Sequence, residues 1–190
     1  CAGTIAGVGN NALGVAGIAW QAKLVACKFL VSDGSGANSD ASEAIWYAWE
    51  QAGADVISNS WGGGVESQEV TNQLRAAAAN GAILVVAAGN DSKDLEGTPT
   101  YPAASQVPNM ITVSSSTRTD AISSFSNTNF GWSNVFAPGS DIMSCGNDND
   151  SDYKTLSGTS MATPMVAGIA ALLRAQFPTE SAAQIINRVY

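Results

Sequence analysis

The chain has no histidine among its 190 residues, and this absence bears directly on any catalytic role. Charged residues are also scarce, at 13%, and their balance gives a net charge of −8. A nucleic-acid partner calls for clustered lysine and arginine, so this composition argues against one. No apolar run reaches the length of a membrane span. The length suits one domain with a sizeable core.

Cysteine is scarce as well. Cys1, Cys27 and Cys145 are odd in number and show no CxxC spacing, which argues against a zinc site and allows at most one internal disulfide. Cys27 lies between apolar residues and is predicted to be a buried small hydrophobe. The low charge, together with many Gly, Ser, Asn and Ala residues, favours a secreted protein.

Patterns of buried strands alternate with amphipathic helices along the chain. The apolar run at 24–31 predicts a parallel strand covered on both faces, and 82–90 and 110–116 predict further strands. Between them lie a helix that Gly53 would end and a helix whose apolar stripe ends at Asn80-Gly81. This alternation predicts an α/β fold with three layers, a mostly parallel β-sheet flanked by helices.

The apolar stripe of the second helix consists of Val70, Leu74, Ala77 and Ala78.

Ligands of such sheets bind beyond the carboxyl ends of the strands. ADVISNSWGGG predicts one more strand, which ends in a glycine loop. This strand and those at 24–31 and 82–90 end in the small residues of SNSWGGG, VSDGSG and AAGND, which let another backbone approach closely. The site is therefore expected at this edge.

The segment LSGTSMATPMVAGIAALL places Ser160 at the start of a helix predicted to begin near Met161. Pro164 is expected within the first turn, because deeper in the helix it would remove a hydrogen bond. The free N–H groups of a helix start would stabilise an oxyanion formed by attack of Ser160. The alternative is that Ser160 is an ordinary N-cap. Gly168 predicts close packing against a neighbour.

A second, shorter helix near the end of the chain is expected to have Thr179 as its N-cap, after Pro178.

Asn90 follows the strand at 82–90 and also has two interpretations. Its side-chain N–H₂ could donate to the same oxyanion as a backbone donor at Ser160. Alternatively, it merely tolerates a left-handed turn at the strand end. The two residues are expected at one edge of the sheet, which favours the joint catalytic interpretation.

Several segments resemble those of the subtilisin-like serine peptidases. SGTSMATPMVAG is similar to the nucleophile segment of that family, AILVVAAGN to the strand with its oxyanion-hole asparagine, and DVISNSWGG to its substrate-binding strand. The opening CAGTIAGVGNNALGVAGIA resembles the segment that follows the catalytic histidine in HGTH[VC]AGT. The resemblance covers essentially the whole chain in the family's order.

The resemblance implies a set of roles. Ser160 would be the nucleophile of an endopeptidase, Asn90 the oxyanion donor, and Thr159 a support of the same pocket. The peptide substrate would bind as an added β-strand, and Trp61 would offer either an apolar wall or ordinary packing. The implied substrate-binding residues are Ser35, Gly36, Ser60, Trp61, Gly62, Ala87, Ala88 and Gly89.

The resemblance also implies a structural calcium ion, but no cofactor for catalysis. In GVGNNALGV, Asn11 would give a side-chain oxygen, and Leu13 and Val15 backbone carbonyls. The acidic stretch 147–152 could also be a cation loop, although a solvated acidic turn is favoured. The family further implies secretion, a monomeric full-length protein and no membrane partner.

The family's triad runs in the order Asp, His, Ser, and alignment places the histidine four residues before Cys1. We therefore interpret residues 1–190 as a partial catalytic domain, incomplete at both ends and without the Asp- and His-bearing part. Lys154, six residues before Ser160, fits no Ser-Lys spacing. A serine without a general base is a weak nucleophile. The isolated chain is thus expected to be inactive, with exposed apolar surface and low stability.

Two rival functions remain open. A sedolisin-like acid serine peptidase would use Glu in place of His, although Asn90 argues against it because that group typically has aspartate there. A non-catalytic homologue would bind peptides or partners and lack the base altogether. A nucleotide-binding domain is excluded because neither GxGxxG nor a P-loop follows the first strand.

Overall fold

The computed structural model describes residues 1–128, 131 and 135–190. The helices are α1 Ala2–Ala6, α2 Asn38–Trp46, α3 Gln68–Ala79, α4 Thr159–Gln176 and α5 Ala182–Val189. The strands are β1 Val56–Asn59, β2 Ile83–Ala87, β3 Met110–Ser116, β4 Val135–Pro138, β5 Ile142–Cys145 and β6 Tyr153–Leu156. Across the described ranges, no helix is both long and apolar enough to cross a bilayer.

Four strands form a parallel sheet in the order β1-β2-β3-β4. The central strand β2 is buried at every residue, as its unbroken apolar sequence requires. Strands β5 and β6 form a separate antiparallel hairpin. The predicted α/β class with a mostly parallel sheet and flanking helices is confirmed.

Alternate residues of β2 face opposite helical layers. Ile83 and Val85 lie in a cluster with Val166 of α4 and Ile185 of α5. Leu84 lies in a second cluster with residues of α2 and α3. This alternation follows from the two-residue period of a strand, and it places the sheet between two helical layers.

The predicted apolar stripe of α3 is confirmed, since its four residues are all buried. The helix ends at the predicted Asn80-Gly81, where Gly81 has a φ of +88°. Gly53, with a φ of +61°, likewise follows the end of the helical segment that continues from α2 to Gln51. The close packing predicted at Gly168 is confirmed, because a Cβ added to this glycine would lie only 2.8 Å from Ile18 Cβ.

The strand predicted at 24–31 is wrong. The structure shows no strand there, and Leu24, Val25 and Val31 are about half exposed. An apolar run becomes a buried strand only when a ladder partner is present, and within the described residues β1 has β2 as its sole neighbour. Cys27 is only partly buried against the α2–α3 cluster, and this burial raises the pKa of its thiol. The segment adds to the exposed apolar surface expected from the sequence.

Thr179 does not cap α5. Ser181 is the N-cap: its hydroxyl accepts from Gln184 N at 3.4 Å, and Gln184 Oε1 accepts from Ser181 N at 2.9 Å. This reciprocal capping box satisfies two backbone donors at once, which a cap at Thr179 would not.

Candidate active site

The site forms where the carboxyl ends of β1 and β2 meet the start of α4. Ser60 directly follows β1, Gly89 and Asn90 follow β2, and Ser160 is the second residue of α4. Neighbouring parallel strands end at the same edge, so residues far apart in the chain come together there. The structure thus joins Ser160, Asn90, Thr159 and Ser60, as the sequence predicted.

Ser160 is not an N-cap. Gly158 holds that position, and Ser160 lies two residues further along, as the second residue of the helix, and makes no capping hydrogen bond. Its hydroxyl instead donates to the carbonyl oxygen of Ser60 at 3.0 Å. The hydroxyl of Ser160 is therefore held at the carboxyl end of β1, and the capping alternative is wrong.

Thr159 fixes the orientation of the Asn90 side chain. Asn90 Oδ1 accepts from Thr159 N at 2.8 Å and from Thr159 Oγ1 at 3.0 Å. Thr159 is fully buried, and its Oγ1 also accepts from Gly89 N at 3.1 Å. Because Oδ1 is engaged twice, the Nδ2 hydrogens of this exposed residue point away from Thr159 and are available to donate.

The left-handed turn suggested for Asn90 belongs to its neighbour. Gly89 has a φ of +103°, whereas Asn90 is not among the residues with positive φ. Only glycine takes this conformation without a steric cost, so Gly89 makes the turn and Asn90 keeps its side chain for hydrogen bonding. The alternative interpretation of Asn90 is wrong.

Pro164 lies in the second turn of α4 rather than the first, so its predicted place is wrong. It leaves the carbonyl of Ser160 without the N–H that a helix normally supplies. That carbonyl is reached instead by Ser60 Oγ at 3.1 Å and by Cys1 Sγ at 3.3 Å. Donors from distant segments make the deeper proline acceptable, which local sequence rules could not anticipate.

A groove of about 420 Å³ runs beside the site. Its lining includes five of the predicted substrate-binding residues: Ser35, Gly36, Ser60, Trp61 and Gly62. Trp61 packs edge-to-face on Phe29, with ring centroids 5.1 Å apart, so it is at once a wall of the groove and part of the packing. The apolar wall and the ordinary packing offered as alternatives for Trp61 are thus both present in the structure.

Tyr101 and Pro102 also line this groove, although sequence reasoning did not select them. The backbone of Tyr101 exchanges two hydrogen bonds with Gly63, at 2.7 and 2.8 Å. The contact spans distant parts of the chain, and no local motif announces it.

Ala87, Ala88 and Gly89 do not line this groove. Ala88 N donates to Val113 O at 3.0 Å, and Gly89 O accepts from Asn127 N at 2.9 Å. These contacts hold the end of β2 in place behind Asn90. A substrate-binding role for the three residues stays a prediction.

Asn127 is a fully buried residue that sequence reasoning missed. Its Oδ1 accepts from Asp91 N at 2.9 Å and Lys93 N at 3.0 Å, and its Nδ2 donates to Ala88 O at 3.0 Å. One side chain thus ties the loop after Asn90 to the end of β2. The residue type gave no signal, because asparagine in a polar stretch usually indicates a turn.

Replacing Asn127 with Ala is expected to lower the free energy of unfolding by about 2–4 kcal/mol, because several buried polar groups lose their partner. Urea unfolding measures this change. The exposed Asn72→Ala variant is the matched control and should stay within about 0.5 kcal/mol of the parent. An equal effect of both substitutions would contradict the assignment.

Lys154 is not available as a base for Ser160. Its ammonium group pairs with Asp148 at 2.9 Å and with Asp152 at 3.5 Å. The hydrogen bond to Asp148 and the two negative charges raise the pKa of Lys154, which keeps it protonated. Asp152 also accepts from two backbone N–H groups of the turn. These internal partners support the solvated acidic turn.

The residues suggested for calcium supply only part of a site. Asn11 Oδ1 accepts from Leu13 N at 3.0 Å, and Leu13 is 73% exposed. Asn11, Leu13 and Val15 offer three neutral oxygens, whereas calcium takes about six to eight oxygen ligands. In the described part of the chain, no group of three or more acidic, cysteine or histidine side chains is placed to hold a metal.

Comparison with known proteins places this geometry in a family. The model of the subtilase family matches residues 1–189. Thermitase of Thermoactinomyces vulgaris is 43% identical over 176 residues, which cover 93% of this chain and 60% of thermitase. Subtilisin DY of Bacillus licheniformis is 39% identical over 188 residues, covering 99% of this chain and 66% of that protein.

Solved structures agree with the sequence comparison. A cold-adapted subtilisin-like serine proteinase matches with a TM-score of 0.83 and 37% identity, covering 97% of this chain and 63% of that one. A protease of Pseudoalteromonas arctica matches with a TM-score of 0.87 and 33% identity, covering 97% and 60%. The chain spans 60–66% of the length of these relatives. The parallel sheet and the matched residues together show that the chain belongs to the subtilase family.

Proposed function

We propose that this chain carries the nucleophile and the oxyanion hole of a serine endopeptidase. Ser160 Oγ attacks the carbonyl carbon of a peptide bond as its proton passes to a base, and the amine leaves from the resulting tetrahedral intermediate after taking up that proton. Water then hydrolyses the acyl-enzyme and frees Ser160. The observation that carries this proposal is the pair of hydrogen bonds from Thr159 to Asn90 Oδ1, which fixes Asn90 with its Nδ2 free beside the start of α4.

The oxyanion would be stabilised from two directions. Asn90 Nδ2 donates from the end of β2, and the backbone N–H of Ser160 is one of the first-turn donors that a helix leaves without an internal partner. Donors fixed before the reaction need no reorganisation when the negative charge develops. The positive end of the α4 dipole adds to this stabilisation.

The proton of Ser160 must go to a base, and the described site does not supply one. The hydroxyl donates to the carbonyl of Ser60, which cannot take a proton. The chain has no histidine, and Lys154 is bound in ion pairs. We therefore assign the base to residues outside these 190, so the isolated chain is expected to be inactive.

The substrate is proposed to be a polypeptide that binds in the groove as an added β-strand. Residues on the two sides, Ser35–Gly36 and Ser60–Gly62, line the same groove. An extended substrate peptide between them would form main-chain hydrogen bonds with both sides. The aromatic surface of Trp61 favours apolar side chains in the substrate.

Secretion and a calcium requirement are further proposals. Relatives include an extracellular protease of Xanthomonas campestris, 39% identical, and an alkaline serine exoprotease A of Vibrio alginolyticus, 39% identical. We propose that this protein is also secreted, and acts as a monomer without a nucleic-acid or membrane partner. Asn11, Leu13 and Val15 would contribute oxygens to a structural calcium site, to be completed by other residues.

Peptide hydrolysis as a function of pH tests the proposed function, using the protein as its gene encodes it. A histidine base must be neutral, so kcat is expected to fall as the pH drops through about 6.5. Activity that instead rises in acid would indicate a carboxylate base of the sedolisin type. Peptide binding without hydrolysis at any pH would indicate a non-catalytic homologue.

A further inference from the structure

The first two turns of α4 contain an internal break in hydrogen bonding. In an α-helix, the N–H of residue 164 would donate to the carbonyl of residue 160. Pro164 has no N–H, and its ring crowds the same carbonyl. The carbonyl oxygen of Ser160 is therefore the acceptor that loses its helical donor.

Ser60 supplies a replacement from the neighbouring strand. Its Oγ donates to Ser160 O at 3.1 Å, while Ser160 Oγ donates to Ser60 O at 3.0 Å. Two serines 100 positions apart thus exchange two hydrogen bonds. Cys1 Sγ is a second donor to Ser160 O at 3.3 Å, but a thiol is a weaker donor than a hydroxyl.

We propose that the hydroxyl of Ser60 is a positioning group for the nucleophile. It replaces the helix N–H missing at Pro164 and so ties the first turn of α4 to the end of β1. Ser60 also lines the groove, so this bond sets the position of Ser160 relative to the strand that borders the peptide. The proposal rests on the function assigned above, because the group that is positioned is the Ser160 nucleophile.

A double-mutant cycle tests this role in the protein as its gene encodes it. Ser60→Ala keeps the Ser60 carbonyl and removes only the hydroxyl. It is expected to lower kcat about tenfold, with KM unchanged within about twofold, because the substitution loosens the helix start and leaves the backbone that borders the peptide in place. Ser60→Thr keeps a hydroxyl and is expected to restore kcat to within about threefold of the parent.

The decisive variant is Pro164→Ala, which gives the helix its own N–H at residue 164. In that background, Ser60→Ala is expected to lower kcat less than about threefold, because Ser160 O keeps a donor. An equal loss in both backgrounds would overturn the proposal. So would a rise in KM at constant kcat, which would show that the hydroxyl acts on the peptide alone.

A second readout needs no catalysis and keeps the two proposals separable. Ser160-Met161 is the sole Ser-Met pair in the sequence, so ¹³C-carbonyl serine with ¹⁵N-methionine gives one amide-carbonyl signal for this peptide group. In the 190-residue chain, Ser60→Ala should move that carbonyl shift upfield, and adding Pro164→Ala should reverse the move. An unmoved signal would overturn the positioning role. The expected shifts, together with no peptide hydrolysis by the full gene-encoded protein, would overturn the peptidase function alone.

Discussion

Replacing Asn90 with Asp is expected to lower kcat by about 10²–10³-fold, the cost known for loss of one oxyanion-hole donor in subtilisin itself. Aspartate keeps an oxygen to accept from Thr159 N and Oγ1, so the local geometry survives. It lacks the N–H₂ donor and brings a negative charge towards the oxyanion. The variant therefore separates donation by the side chain from its structural role.

Steady-state kinetics on a chromogenic peptide measure the Asn90→Asp effect, with the protein as its gene encodes it. Asn149→Asp, in the exposed turn between β5 and β6, is the matched control and should leave kcat within about twofold. Unfolding by urea should show that Asn90→Asp remains folded. A kcat within about threefold of the parent would mean that Asn90 donates nothing to the transition state.

Replacing Ser160 with Ala is expected to remove nearly all hydrolysis, a loss of about 10⁶-fold in kcat by the precedent of subtilisin. The change deletes the attacking oxygen and its bond to Ser60 O, but leaves Thr159 and Asn90 in place. Ser157→Ala, three residues earlier in the chain, is the control and should stay within about twofold of the parent. Substantial activity in Ser160→Ala would require another nucleophile.

Much of the fold could be predicted because some elements are determined by their own sequence. The strand β2 is apolar at every residue, and its burial needs only a covering on both faces, which α/β topology provides. The segment 24–31 shows a similar run, yet its state depends on a ladder partner that the run does not specify. An apolar run thus predicts a buried strand only where its ladder partner is also present, and Leu24, Val25 and Val31 are about half exposed without one.

Local rules about helix ends gave mixed results for a physical reason. The capping box of Ser181 and Gln184 is visible in the sequence and could have replaced the prediction at Thr179. The place of Pro164 was not predictable, because the donors that compensate for it come from Ser60 and Cys1. Rules based on neighbours fail where a distant side chain satisfies a backbone group.

In the site, too, local sequence predicts which residues take part but not the contacts that orient them. The motifs selected Ser160, Asn90 and Thr159, and the structure brings the three together. The orientation of the Asn90 amide and the buried hydrogen bonds of Asn127 depend on contacts between segments tens of residues apart. Residue types can therefore suggest the chemistry, whereas the direction in which each group donates requires the fold.

A fluorophosphonate probe tests the central claim most directly, because it reacts covalently only with an activated serine. Peptide mapping after labelling should find the probe on Ser160 in the protein as its gene encodes it, and no label on the 190-residue chain, which has no histidine. Labelling of Ser160 in the 190-residue chain would contradict the assignment of the base to other residues. Labelling of a different serine, or of none, in the gene-encoded protein would contradict the assignment of Ser160 as the nucleophile.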